Sequence, residues 1–255
     1  MLDIETKALL NYEKNLTYFS QKHPDIFKNI RIFDASATSY ALEYKNGYFD
    51  VLELISNHFL YNCDSNEYAK QAAKSVNYSK TSSLFEGIID YIISPDQIKK
   101  LKTQKLIDSD IRDVLPIMQI ARKIAPKTST IKKIDKFIFV GVGLGTHIVS
   151  IDEKVNASDY LIIEDDFELF RLSLFVTPYY EIAKKTRLTF SIAQNKQQFS
   201  ETVTLFLEYS YFNNRYLKYF YFPAHDDMKI KLIQVQLARQ SHHVFHYDIS
   251  LSKYL

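Results

Sequence analysis

The segment Lys136-Phe137-Ile138-Phe139-Val140-Gly141-Val142-Gly143-Leu144-Gly145-Thr146-His147-Ile148 constrains the fold more than any other. An apolar, β-branched run breaks into three alternate glycines and then a helix-compatible stretch. A parallel strand hands a nucleotide-type ligand to a helix N-terminus in this way. A second apolar run, Tyr160-Leu161-Ile162-Ile163, closes on Glu164, nineteen residues after Gly145. In a dinucleotide-type unit a carboxylate at that place accepts hydrogen bonds from ribose hydroxyls. Together the two pieces predict an α/β, Rossmann-like (class I methyltransferase-like) fold, a parallel sheet with helices on both faces. The same loop suits S-adenosylmethionine enzymes, dinucleotide enzymes and domains that keep the shape after losing the ligand, so it indicates the fold more firmly than the activity.

The pattern around this segment is regular. Strands are expected over 137–141, 159–164, 187–192 and 215–222, and helices over 145–154, 166–176, 196–209 and 226–241. Alternation with such short connections implies right-handed parallel crossovers. Upstream the character differs. Residues 3–20 carry Ile4, Leu9, Leu10, Leu16 and Phe19 near helical spacing until Pro24 stops the pattern. From Ile30 to Leu54, alternation around Asn46-Gly47 predicts a β-hairpin or meander, and 57–62 reads as a loop. Asp64-Ser65 caps a helix with Tyr68, Ala69, Ala72, Ala73 and Val76 on one face. Further helical runs are expected over 82–93, 96–105 and 109–123. Ala125-Pro126-Lys127-Thr128-Ser129-Thr130 is the sharpest break in composition. It divides a smaller α+β N-terminal subdomain, 1–128, from the Rossmann-like domain, 129–255.

Several classes lose their support. Lys plus Arg number 32 against 30 Asp plus Glu, and a net charge of +2 is no footprint for nucleic acid. The single cysteine, Cys63, forbids an intramolecular disulfide and suits a reducing cytoplasm. Met1-Leu2-Asp3-Ile4-Glu5 does not read as a signal peptide, and no uncharged apolar run reaches the roughly 20 residues of a membrane span. Elbow-serine, Walker and His-Glu-x-x-His motifs are absent. His242 and His246 would share a helix face with His243 beside them, but no third ligand is placed, so no metal site is expected. The aromatic run Tyr209–Phe222 fits a strand better than a base-stacking platform.

The candidate ligand-binding residues are therefore Gly141, Gly143, Gly145, His147 and Glu164. The glycines either admit a nucleotide or S-adenosylmethionine-like ligand or simply make a tight strand-to-helix turn. Glu164 is either a hydroxyl acceptor or an acidic residue favouring the start of the next helix, as Asp165, Asp166 and Glu168 do. His147 either contacts a ligand or lines the loop.

The block Phe139-Val140-Gly141-Val142-Gly143-Leu144-Gly145-Thr146-His147-Ile148, with Leu161-Ile162-Ile163-Glu164-Asp165-Asp166-Phe167-Glu168-Leu169-Phe170-Arg171-Leu172-Ser173-Leu174-Phe175, resembles the N-terminal region of the motility accessory factor family. Leu60-Tyr61-Asn62-Cys63-Asp64-Ser65-Asn66-Glu67-Tyr68-Ala69 and Ser241-His242-His243-Val244-Phe245-His246-Tyr247 look like further landmarks. The resemblance covers nearly the whole chain. It implies flagellin O-glycosylation in the cytoplasm: a pseudaminic or legionaminic acid type sugar passes from a CMP-activated donor to Ser or Thr. Members are usually longer, with a sialyltransferase-like region following this segment. The chain is thus expected to be a truncated N-terminal part or a short paralogue, with no catalytic residue of its own. The implied partners are flagellin and a nucleotide or nucleotide-sugar. The first reading is an accessory domain of the glycosyltransferase, acting in acceptor recognition, scaffolding or nucleotide binding without transfer activity of its own. Two alternatives stand beside it: a free-standing methyltransferase, in which Gln194 and Asn195 could touch adenine, and a structural module docking through the hairpin at 30–54.

Overall fold

A computed structural model of the chain describes residues 3–34, 36, 38–79, 84–85, 130–210, 213–214, 217–223 and 228–236. The helices expected over 96–105 and 109–123, nearly all of that over 82–93, the break at 125–129 and His242, His243 and His246 lie outside the described residues.

Helix α1 (Ile4–Lys22) starts at Asp3, whose carboxylate accepts the Thr6 N–H at 2.7 Å. Pro24 does more than stop α1. It opens a second helix, α2 (Pro24–Ile32), in the first turn, where a missing N–H costs nothing. The β region expected from Ile30 therefore begins later, with β1 (Tyr40–Lys45) and β2 (Tyr48–Glu53). They pair antiparallel around Asn46-Gly47, both at positive φ (51° and 93°). A short third strand, β3 (His58–Phe59), lies where a loop was expected and pairs with β2. Helix α3 (Ser65–Ser75) follows, with the Asp64 carboxylate accepting the Asn66 and Glu67 N–H groups.

The second half alternates: β4 (Lys136–Val140), α4 (Thr146–Val155), β5 (Asp159–Glu164), α5 (Phe167–Val176), a single turn α6 (Tyr179–Ile182), β6 (Arg187–Ile192), α7 (Lys196–Glu208), β7 (Lys218–Tyr221) and a helix α8 over 228–236. The four strands are parallel in the order β6-β5-β4-β7. Every residue of β4 and β5 is buried, because helices cover both faces. On one face Phe137, Phe139, Tyr160, Ile162 and Phe190 join Ile148 and Phe170. On the other, Ile138, Val140, Leu161 and Ile163 meet Phe199, Val203, Phe206 and Leu207 of α7 and Ile233 of α8.

The described N-terminal residues enter the first of these cores. Phe19 of α1 is fully buried, with its ring 5.0 Å from that of Phe190 and 5.6 Å from that of Phe170. Beside it, buried Asn15 donates Nδ2–H to the carbonyls of Leu174 and Thr177, each at 2.8 Å, and its Oδ1 accepts the Tyr180 N–H at 3.3 Å. Asn11 Nδ2–H also donates to the Leu174 carbonyl, at 3.0 Å, so two amide side chains of α1 serve carbonyls left open where α5 ends. Lys154 of α4 does the same for α3, donating to the carbonyls of Ala73 and Val76. The antiparallel sheet is held by Glu168 of α5, whose carboxylate accepts the Ser39 and Tyr40 N–H groups at 2.9 and 3.0 Å.

Candidate functional site

β5 and β6 lie on one side of β4, while β7 lies on the other. The order reverses between β4 and β7, and in open α/β sheets ligands bind outside the carboxyl ends of the strands at such a reversal. The glycine turn lies at that place.

Gly141, Gly143 and Gly145 have φ of 91°, 51° and 73°, a region in which a side chain is strained. With the backbone so bent, successive N–H groups converge into the kind of nest that binds an anion. Each finds an acceptor in the chain itself. Gly141 N–H donates to the Ile163 carbonyl at 2.9 Å and Gly145 N–H to the Val142 carbonyl at 2.7 Å. Val142 and Gly143 N–H both donate to Glu164 Oε2, at 2.8 and 3.2 Å, while Oε1 accepts the Asp166 N–H at 3.0 Å. Leu144 N–H donates to the Tyr61 hydroxyl at 2.8 Å. The Leu144 carbonyl accepts the Thr177 hydroxyl at 2.7 Å.

The space above the turn is filled as well. A Cβ added to Gly143 would lie 2.7 Å from the Tyr61 hydroxyl and 3.1 Å from the Phe222 ring. One added to Gly145 would lie 2.5 Å from Thr177 Oγ1 and 3.1 Å from the Tyr179 hydroxyl. The rings of Tyr61, Tyr68 and Phe222 meet edge to face at 5.3–5.6 Å. His147, in the first turn of α4, is buried behind them, stacked on Phe222 at 5.6 Å and 14° and flanked by Phe139, Phe220 and Tyr68.

Burial sets the ionisation here. It drives the His147 pKa down to about 4, against the opposing pull of the Gly141 carbonyl and the Glu164 carboxylate, so the imidazole is neutral at pH 7. Neither ring nitrogen makes a hydrogen bond to a described residue. Burial also pushes the Tyr61 pKa well above that of an ordinary phenol, leaving a neutral hydroxyl free to accept an amide.

The structure thus brings Gly141, Gly143, Gly145, His147 and Glu164 together at the carboxyl ends of β4 and β5. It adds three residues that sequence reasoning did not place there: Tyr61, Thr177 and Phe222. Tyr61 stood out only as part of a family landmark, and nothing local ties it to a turn 83 positions away. Among the described residues no group of three His, Cys, Asp or Glu side chains could hold a metal ion, and no helix is long and apolar enough to cross a membrane.

A parallel sheet in this order, with a glycine turn at its reversal and an antiparallel sheet packed beside it, defines a Rossmann-like α/β domain with an N-terminal α+β addition. Residues 11–246 match the family described as glycosyltransferase Maf N-terminal domain, and the chain belongs to that family. The structure of a MAf glycosyltransferase from Magnetospirillum magneticum AMB-1 shares the fold over 92% of this chain, with a TM-score of 0.60 and 15% sequence identity. The chain spans 35% of the length of that glycosyltransferase. No curated protein matches it.

Proposed function

We propose that the chain serves flagellin glycosylation as an accessory, acceptor-recognising part of a Maf-type glycosyltransferase, acting in the cytoplasm before flagellin export. Transfer of the pseudaminic or legionaminic acid type sugar from its CMP-activated donor falls to residues outside this chain. Family membership supports the setting. The observation that carries the accessory role is the state of the glycine turn, where all five N–H groups from Gly141 to Gly145 already have acceptors. Sugar transfer also needs a base within reach of the acceptor hydroxyl. At the turn the two candidates are engaged or enclosed: Glu164 is bonded to three amides and His147 is walled in by aromatic rings.

Two assays on the purified chain test this reading. A pull-down with unglycosylated flagellin should retain flagellin, and incubation with flagellin and a CMP-activated nonulosonic acid should leave the flagellin mass unchanged. Loss of retention, or a mass gain of one sugar produced by the chain alone, overturns it. The methyltransferase alternative requires S-adenosylmethionine to stand where Tyr61 and Phe222 are, and calorimetric titration with that compound addresses it directly.

A further inference from the structure

Rossmann-like sheets imply a nucleotide or S-adenosylmethionine at the reversal, and the residues present here do not fit one. We propose that the glycine turn is ligated from within the chain: Glu164 and Tyr61 take the N–H groups that phosphate oxygens would take, and the turn clamps the antiparallel sheet onto the parallel one.

Three observations carry this. The first is charge. A pyrophosphate approaching the Val142 and Gly143 amides meets a buried carboxylate already bonded to both, and like charges at such a distance repel strongly in a water-poor site. Anionic dinucleotides and CMP are excluded on that ground. The second is volume. S-adenosylmethionine carries a cationic sulfur and escapes the charge argument, but the Tyr61 hydroxyl and the Phe222 ring occupy the space over Gly143, 2.7 and 3.1 Å from where a Cβ would stand.

The third is the way Tyr61 is carried. It lies on a strap fastened on both sides. Leu60 N–H donates to the Val51 carbonyl at 2.8 Å, and Tyr61 N–H to Oδ1 of buried Asp50 at 3.2 Å. Ser65 Oγ donates to the Phe49 carbonyl, and Thr146 Oγ1 of α4 donates to the Ser65 carbonyl at 3.2 Å. β2, the strap, the turn and α4 therefore form one bonded chain with Tyr61 at its centre. A side chain that merely filled space would need neither the amide nor the fastening.

The test uses the full chain and two variants. Tyr61→Phe keeps the ring and its packing and removes the hydroxyl that accepts Leu144 N–H and meets the Thr146 side chain, while Phe222→Ala opens the space over Gly143 and leaves every turn hydrogen bond in place. In hydrogen exchange read by mass spectrometry, Tyr61→Phe should speed exchange about tenfold in peptides covering both 142–146 and 48–62, with 187–192 unchanged. Calorimetry of the wild type with CMP, NAD and S-adenosylmethionine should give no binding heat. For Phe222→Ala, CMP and NAD should still give none, because Glu164 remains. Micromolar binding of any of the three by the wild type, CMP binding by Phe222→Ala, or unchanged exchange in either peptide after Tyr61→Phe overturns the proposal. These outcomes are independent of flagellin retention, so the clamp and the acceptor reading fail separately.

Discussion

Replacing Gly145 with alanine separates a glycine kept for packing from one kept for a ligand. Gly145 sits at φ 73° at the start of α4, and placing alanine in the left-handed region costs about 1–2 kcal/mol. The new Cβ would lie 2.5 Å from Thr177 Oγ1, so the hydroxyl must swing away from the Leu144 carbonyl it now holds at 2.7 Å. Leaving that buried carbonyl unbonded costs about 1–3 kcal/mol. Together, Gly145→Ala should lower unfolding free energy by roughly 2–5 kcal/mol, measured by urea denaturation. Gly47→Ala is the control: φ is 93°, but nothing lies within 4 Å of the added Cβ, so only the backbone cost of about 1–2 kcal/mol applies. Thr177→Ala removes the clashing hydroxyl and its bond in one step. The unbonded Leu144 carbonyl is common to both single losses, so the double variant should be about 1–3 kcal/mol more stable than their sum predicts. Equal effects of Gly145→Ala and Gly47→Ala, or strict additivity with Thr177→Ala, would refute the reasoning.

Two further outcomes follow from the core. His147 titrates near 6.5 when unfolded and about 4 when folded, so the unfolded chain binds the extra proton between those values. Stability is full above pH 6.5, falls as pH drops through that window and is lost by about 2 kcal/mol between pH 7 and pH 5; His23, lowered to about 4 by burial, acts in the same direction. The urea midpoint should show this slope, and His147→Phe should flatten it; an unchanged slope would count against a neutral, enclosed imidazole. Asn15→Ala strips the Leu174 and Thr177 carbonyls of their Asn15 bonds and the Tyr180 N–H of its acceptor. Leu174 keeps its bond from Asn11, so the variant should destabilise by about 2–3 kcal/mol in the same assay, and a loss under 1 kcal/mol would show that Asn15 does not hold the end of α5.

The parallel sheet was legible because its signals are local: an apolar run, a glycine turn and a capped helix each fit within about fifteen residues. The helix starting at Pro24 was missed because proline reads equally as an end and as a first-turn residue. β3 has only two residues, too few to show alternation. Lys136 shows a different limit. It stands just before the strand expected over 137–141 and is fully buried, donating Nζ–H to the carbonyls of Phe206 and Leu207 and to Asn214 Oδ1. It caps α7, a favourable place for a cation, and burial brings its pKa down to about 8. Only the fold brings residue 136 to the end of a helix 70 positions away.

The same distinction explains why the glycine turn could not disclose its ligand. Positive φ at 141, 143 and 145 requires glycine whichever oxygen the amides face. Once bent, the turn presents convergent donors that must be satisfied, because a buried N–H without an acceptor is costly. A carboxylate ending the neighbouring strand is well placed to accept from a ribose hydroxyl and equally well placed to reach across to the amides, as Glu164 does. Glycine spacing and the acidic position are therefore common to both arrangements. The residues that distinguish them, Tyr61 on the strap and Phe222 after β7, lie far from the motif in the chain. An aromatic hydroxyl carried by a neighbouring unit into the strand-order reversal is thus the feature to seek when asking whether such a turn still takes a ligand.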